Sequence, residues 1–282
     1  MESPDLTQPL PDPTWVMPSP AGEILLAIFG GGAAIFVAYC AWLALRKRSA
    51  LPLLFALAGL FSIMLEPIAD TLGNVQHRPV GQISAFVVDG QPIPWAIVLG
   101  YIWYFGLALV LMWRKAEERT MTPKLWARSA VFAFAAVLLV EQIPIALDLW
   151  EYYGHQPLVL GFMPIDMAIA NMVSVMLPAI VIYKIWPMLH GWKQLLVLPL
   201  VPICVVGGHT AAAAPAYMLI NANPDAPMWL VHFAGVVTTV FAVLIVWFAV
   251  RLLHGGFPEL VADRARLEVA AATVPQREMS GV

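Results

Sequence analysis

Seven long apolar stretches dominate the sequence and constrain its fold more than any other feature. Each is close to the ~20 residues that an α-helix needs to cross the hydrocarbon core of a bilayer. They cover about 24–45, 51–72, 93–113, 124–147, 164–186, 193–220 and 228–253. Of the 282 residues, 61% are hydrophobic and 12% are charged, a balance that a soluble domain could not bury. The sequence therefore predicts an all-α, polytopic membrane bundle with seven transmembrane helices.

Lysine and arginine are distributed unevenly between the two sides of this predicted bundle. They fill or flank the loops after the first, third and fifth spans and follow the last span, whereas Arg78 alone falls on the opposite side. An excess of lysine and arginine marks cytoplasmic loops. We therefore predict that the N-terminus lies outside, that the C-terminus is cytoplasmic, and that the chain crosses the inner (plasma) membrane.

The two ends of the chain differ in composition from the spans. Residues 1–22 contain six prolines, which predicts an extended or disordered segment. The seven-helix domain is predicted to cover 23–254, and the polar residues 255–282 to form a cytoplasmic tail. A net charge of −3 does not favour nucleic acid as a partner.

Acidic residues of two spans fall in the outer parts of those spans. Glu66, Asp70 and Asn74 recur at intervals of four residues and so share one stripe of the second span. Glu141 lies at similar depth in the fourth span, and Asp148 follows on the same face. Because each ionisable group in a bilayer costs roughly 2.5–3.5 kcal/mol, their convergence predicts a shared polar cavity that opens outward.

Further polar and aromatic side chains are predicted to line this cavity and bind substrate. They are Asn74, Asp148, Asp166, Asn171, His209, His232, Tyr101 and Trp103. A structural reading competes for several candidates, because Asp70, Asp148 and Asp166 lie near span ends, where a carboxylate can cap a helix. His232 lies near the interface and can be structural in the same way, and His77 is interpreted as a solvated loop residue.

Four short motifs together resemble a known family of bacterial membrane proteins. They are Glu66-Pro-Ile-Ala-Asp70-Thr-Leu-Gly-Asn74, Gly90-Gln-Pro-Ile-Pro-Trp95, Tyr101-Ile-Trp-Tyr104 and Tyr152-Tyr-Gly-His-Gln-Pro157. With the span that bears Asn171, they resemble the avermectin-type spirocyclases (AveC-like proteins) over spans two to five. Asp70 stands where the second-span pattern of that family has asparagine. The resemblance implies cyclisation or dehydration of a lipophilic polyketide-like or isoprenoid-like substrate.

We therefore predict a membrane enzyme of the cyclase, dehydratase or isomerase type. A buried carboxylic acid keeps its proton more readily than an exposed one, so two carboxyls in different surroundings can supply an acid and a base. Glu66 and Glu141 are the predicted acid–base pair, with Asp70 as a third catalytic residue. The sequence contains no recognisable cofactor or metal motif, so no cofactor and no metal are predicted.

Other functions remain open at this stage. Protonatable acids beside helix-breaking prolines also suit a proton-coupled transporter, and the chain could instead be a lipid-binding accessory subunit of a membrane complex. His209 and His232 could ligate haem if their depths matched. The predicted partners are the lipid bilayer, a lipophilic small molecule, and further copies of the chain or other subunits of a membrane complex.

Overall fold

The computed structural model describes residues 14–223 and 225–255. Its helices are α1 (Ala21–Lys47), α2 (Leu51–Phe61), α3 (Leu65–Gly73), α4 (Trp95–Glu118), α5 (Pro123–Ala146), α6 (Ile165–Ile185), α7 (Val197–Ala222) and α8 (Met228–Leu253). Its short strands are β1 (Val75–His77), β2 (Ser84–Val88), β3 (Gln91–Pro94), β4 (Trp150–Tyr152), β5 (Val159–Leu160) and β6 (Met163–Pro164).

Seven helical segments of the described residues are long and apolar enough to cross a membrane, which confirms the predicted seven-helix bundle. The second segment, Leu51–Gly73, combines α2 and α3, and the sixth, Gly191–Asn221, combines a 3₁₀ turn with α7. The protein is thus a multi-pass membrane protein. Its orientation and the identity of its membrane stay predictions from the distribution of lysine and arginine.

The second span is interrupted just before Glu66. A 3₁₀ turn, Ser62–Met64, separates α2 from α3. The Ser62 hydroxyl donates to the carbonyl of Ala58 at 2.9 Å, a contact that often bends helices. Pro67 lacks a backbone N–H and leaves the carbonyl one turn earlier without its helical partner. The interruption therefore has an identifiable cause in the sequence, and it sets the direction of the short helix that carries Glu66 and Asp70.

Helices α2 and α4 approach each other closely at Gly59. A Cβ atom at this position would lie 2.8 Å from the carbonyl oxygens of both Tyr101 and Ile102. Backbone atoms cannot move aside as a flexible side chain can. Only glycine therefore allows this packing, which also fixes the height of Tyr101 beside the broken second span.

Gly59→Ala is expected to destabilise the protein by about 1–3 kcal/mol, because the added methyl group overpacks the contact between α2 and α4. Gly31→Ala is the matched control, since a Cβ at Gly31 in α1 meets nothing within 4 Å. There, alanine should stabilise the helix by up to about 1 kcal/mol. Melting temperatures of the two variants in detergent should therefore change in opposite directions. Equal shifts would contradict the close approach.

Three two-stranded ribbons cover the end of the bundle where the second and fourth spans terminate. Strand β1 pairs antiparallel with β4, β2 with β3, and β5 with β6. The β1–β4 ribbon joins two different loops, with Val75 opposite Tyr152 and His77 opposite Trp150. Both segments are predicted to be loops, and their pairing into a ribbon corrects that prediction.

The residues before α1 are ordered against this cap. The Met17 N–H donates to the Val80 carbonyl at 2.7 Å, and the Val80 N–H donates to the Trp15 carbonyl at 3.1 Å. Residues 15–17 are thus extended, one of the two conformations predicted for residues 1–22, and α1 begins at Ala21 rather than at residue 23. Residues 1–13 and most of the predicted tail, 256–282, lie outside the described residues.

Candidate functional site

The β1–β4 ribbon presents two polar side chains from one of its faces. Side chains alternate between the faces of a strand, and Val75 lies opposite Tyr152 while His77 lies opposite Trp150. His77 and Tyr152 therefore share a face. The His77 ring packs edge-on against Trp150, with 5.5 Å between ring centroids. Each of the two polar side chains reaches a glutamate of a neighbouring span, and two clusters result.

The first cluster, which we call the Glu66 cluster, contains Glu66, Asp70, His77 and Tyr101. His77 Nε2 lies 2.9 Å from Glu66 Oε1 and 3.7 Å from Asp70 Oδ2. The Tyr101 hydroxyl donates to Glu66 Oε2 at 2.6 Å. Glu66 is predicted to be a buried carboxyl in a cavity, but both of its oxygens have partners in the protein. Asp70, in contrast, is 2% exposed, and its Oδ2 accepts no hydrogen bond from any described residue.

The second cluster, which we call the Glu141 cluster, contains Glu141, Tyr152 and Asn171. The Tyr152 hydroxyl donates to Glu141 Oε2 at 2.8 Å. The Asn171 amide nitrogen donates to Glu141 Oε1 at 3.2 Å. Three elements thus hold this carboxyl group, because Glu141 comes from α5, Tyr152 from β4 and Asn171 from α6. The predicted site residues Glu141 and Asn171 are in direct contact.

The two clusters adjoin and influence each other electrostatically. Burial, followed by the charge of Glu141 and by its hydrogen bond, raises the pKa of Tyr152 well above the usual value for a phenol, and Glu66 contributes as well. Asp70 in turn interacts with both Glu66 and Glu141. Tyr152 therefore remains a neutral hydroxyl donor at physiological pH. The structure brings the predicted catalytic residues Glu66, Asp70 and Glu141 into one region, beneath the β1–β4 ribbon.

His209 and Asp166 are linked to this region through Tyr217. His209 is fully buried, and its Nε2 lies 2.6 Å from the Tyr217 hydroxyl. Tyr217 also interacts electrostatically with Asp166, Asp70 and Glu66. Asp166 lies in the first turn of α6, where the helix dipole favours an anion. The position of Asp166 agrees with the interpretation that its carboxylate caps the helix. Its contact with a substrate stays a prediction.

The other four predicted substrate-binding residues each contact a protein group outside the two clusters, and their contact with a substrate stays a prediction. Asp148 is 62% exposed and pairs with Arg78, so it does not share a polar face with Glu141. His232 is exposed on α8 and accepts a hydrogen bond from the Leu158 N–H at 3.1 Å, which fixes the loop before β5 and does not support a haem ligand. Asn74 ends α3 with φ +52° and accepts from the Tyr153 N–H at 2.9 Å through its carbonyl. Trp103 packs edge-on against Phe29, with 5.8 Å between centroids.

Sequence reasoning misses two residues that contact the predicted acids. His77 is interpreted there as a solvated loop residue, but it is 3% exposed and pairs with Glu66. Tyr152 is noticed only as part of a family motif. One local signal could have identified His77, because Val75-Gln-His77 follows a polar stripe directly and ends just before the one arginine of that side.

Two cavities of the described residues lie away from the predicted site. The larger one, of about 510 Å³, lies near the opposite end of α1 and α4 and is lined by residues that include Tyr39, Trp42, Arg46 and Arg114. The smaller one, of about 60 Å³, lies beside the start of α1 and includes Met17. Neither is lined by Glu66 or Glu141. The acids are instead enclosed by tyrosine, histidine and asparagine side chains.

Comparison with known proteins adds no relative to this picture. The chain matches no family model, no curated protein and no solved structure. The resemblance to AveC-like proteins thus stays a prediction that rests on the motifs quoted above.

Proposed function

We propose that the protein is an integral-membrane enzyme that cyclises, dehydrates or isomerises a lipophilic substrate by acid–base catalysis. One observation carries the proposal: two partly buried glutamates in adjoining clusters each accept a hydrogen bond from a tyrosine hydroxyl. Buried ionisable groups in membrane spans are costly and mark functional sites by default. Two such groups in different surroundings are the arrangement that acid–base catalysis requires.

The two clusters suit opposite roles in proton transfer. Glu141 accepts hydrogen bonds from Tyr152 and Asn171, which stabilise its ionised form and suit a general base. Glu66 shares a short contact with His77, and a proton held between these two groups can be given to a substrate oxygen. In a dehydration, the Glu66–His77 pair protonates the hydroxyl group, the C–O bond breaks and water leaves. Glu141 then takes the proton from carbon.

The surroundings of the two clusters favour a lipophilic substrate. Aromatic rings border them, including Tyr101, Tyr104 and Trp150, and these rings suit apolar or cationic intermediates. Helices α4 and α5 both pack extensively on α6. In the proposal, the substrate enters from the bilayer between α4 and α5, the helices that carry Tyr101 and Glu141. The AveC-like motifs support a polyketide-like or isoprenoid-like substrate class, processed in the inner membrane of a bacterium.

A second function, proton-coupled transport, is favoured by the interruption at Ser62–Met64. Transporters commonly place protonatable residues beside broken helices, and Glu66 lies immediately after this one. Transport changes the location of a compound but not its structure. Mass spectrometry of the compounds that depend on the protein therefore distinguishes the two functions.

The proposal is tested by replacing the chromosomal copy of the gene with a Glu141→Gln version and comparing lipid extracts by untargeted mass spectrometry. We expect one lipophilic compound to accumulate, and a product isomeric with it or lighter by one water to disappear. Glu151→Gln is the matched control, because Glu151 neighbours Tyr152 on the other face of the same strand. Extracts that are identical for Glu141→Gln and the native strain would overturn the proposal.

A further inference from the structure

We propose that Glu66, Asp70 and His77 bind one divalent transition-metal ion, of the type of Zn²⁺ or Mn²⁺. Each residue offers one ligand atom, and these three atoms all lie within 4.8 Å of one another. Metal binding goes beyond the proposed function. An ion bound to Glu66 and His77 would replace the proton shared by these two residues as the group that activates the substrate oxygen, while Glu141 keeps its role as base.

The spacing of the donor atoms matches a first coordination shell. Nitrogen and oxygen ligands lie about 2.0–2.2 Å from Zn²⁺ in a tetrahedral site, which places them roughly 3.4 Å from each other. The distances from His77 Nε2 to Glu66 Oε1 and to Asp70 Oδ2 are 2.9 and 3.7 Å. These values bracket the expected separation. The remaining pair of ligand atoms, on Glu66 and Asp70, lies within 4.8 Å, so one ion can contact all three ligands after an adjustment of these side chains.

The Glu66 cluster contains two carboxyl groups close together, and a bound cation would balance their charge. Glu66 and Asp70 are 13% and 3% exposed in their side chains, and buried carboxylates are normally paired or bound to a metal. Within residues 14–223 and 225–255, no lysine or arginine forms an ion pair with either of them. The arginine nearest in sequence, Arg78, is occupied by Asp148 and Glu151. A divalent ion would neutralise both carboxylates at once, whereas a shared proton would neutralise only one.

The unused oxygen of Asp70 points to the same conclusion independently. Asp70 is 2% exposed, and its Oδ2 has no hydrogen-bond partner among the described side chains and backbone groups. This oxygen lies 3.7 Å from His77 Nε2, too far for a hydrogen bond. An acceptor that faces a histidine nitrogen without bonding to it is placed as a metal ligand would be.

The surrounding structure holds the three ligands in position. Tyr101 donates to the second oxygen of Glu66 at 2.6 Å, the kind of outer contact that orients a ligating carboxylate. The β1–β4 ribbon and the Trp150 ring fix His77. With three protein ligands, one coordination position stays open, as in catalytic rather than structural zinc sites. A substrate oxygen bound there would be polarised beside Glu141.

The test uses the full chain, purified in detergent and dialysed against Zn²⁺, Mn²⁺ or Co²⁺ alone. We expect about one ion per chain by elemental analysis, and a Co²⁺ absorption spectrum that Zn²⁺ abolishes. Asp70→Asn and His77→Gln should each weaken binding at least tenfold. His155→Gln is the matched control, because His155 is an exposed histidine in the loop after β4, and it should bind like the native chain.

X-ray absorption at the zinc edge tests the site without any substitution. It should show one imidazole nitrogen at about 2.0–2.1 Å together with oxygen ligands. Absence of a retained ion, or binding that His77→Gln does not weaken while the variant elutes as a folded protein, would overturn the proposal. Glu141→Gln should retain the ion although we expect it to lose turnover, so failure of metal binding and failure of the proposed function are distinguishable.

Discussion

Glu141→Gln is expected to lower turnover by on the order of 10²–10⁴-fold, the contribution of one general acid–base group. Glutamine keeps the volume of the side chain and can still accept the hydrogen bond from Tyr152, but it cannot take up a proton. The fold should therefore persist while proton abstraction fails. The rate is measured on the compound that accumulates in the variant strain, with the protein reconstituted in lipid vesicles.

Two further variants separate catalysis by Glu141 from a merely structural role. Tyr152→Phe removes the hydroxyl donor at 2.8 Å but keeps the ring, and it should lower turnover less than Glu141→Gln because the base remains. Glu151→Gln should leave turnover nearly unchanged. If Glu141→Gln instead keeps its rate, or lowers the melting temperature strongly, Glu141 is an anchor of the hydrogen-bond network and not the base.

Hydropathy and charge are sufficient to predict the architecture of the bundle. A span must be about 20 apolar residues long, so its existence can be read locally. The depth of Glu66 and Glu141 within their spans follows from the same count. Their clustering is predictable as well, because polar groups in a bilayer avoid lipid. The glutamates, Asp70 and Asn171 therefore could be predicted from the sequence as members of one region.

The partners of these acids could not be predicted, because they come from pairing between distant loops. Strands β1 and β4 have three residues each, too few for a periodic pattern. Their register decides that His77 and Tyr152 share a face, and no local feature encodes that register. The position of Asp148 is wrongly predicted for the related reason that its partner, Arg78, lies 70 positions away. The prediction that Asp148 shares a face with Glu141 assumes that the helix continues to Asp148, but α5 ends at Ala146.

Arg78 connects the segment before α1, the loop after α3 and the loop after α5. Its guanidinium lies 3.2 Å from the centre of the Trp15 ring, and its Nε donates to the Asp148 carbonyl at 2.7 Å. Its Nη2 binds the Asp148 carboxylate, and Glu151 lies 3.7 Å from Nη1. The partners differ in exposure, because the side chain of Arg78 is 1% exposed and that of Asp148 is 62% exposed.

This difference predicts unequal effects of removing each partner. Asp148→Asn leaves a buried guanidinium without its main counter-charge, and breaking a buried ion pair in this way costs about 3–5 kcal/mol. Because the asparagine side chain would still accept a hydrogen bond and Glu151 remains, we expect the lower end of that range. Arg78→Met keeps most of the volume and leaves a carboxylate that water can solvate, so it should cost roughly 1–2 kcal/mol, the value of the lost hydrogen bonds.

The double variant Arg78→Met/Asp148→Asn should be about as stable as Arg78→Met alone, because no buried guanidinium then remains without its counter-charge. The stability of all three variants is measured by melting temperature and by inactivation half-life in detergent. Asp225→Asn is the control, because Asp225 is an exposed acid in the turn before α8. Additive losses in the double variant would mean that the two residues stabilise the cap independently. The predicted non-additivity follows from the burial of Arg78. Removing the Asp148 carboxylate lowers the stability of the protein strongly only when the buried guanidinium is present and loses its counter-charge.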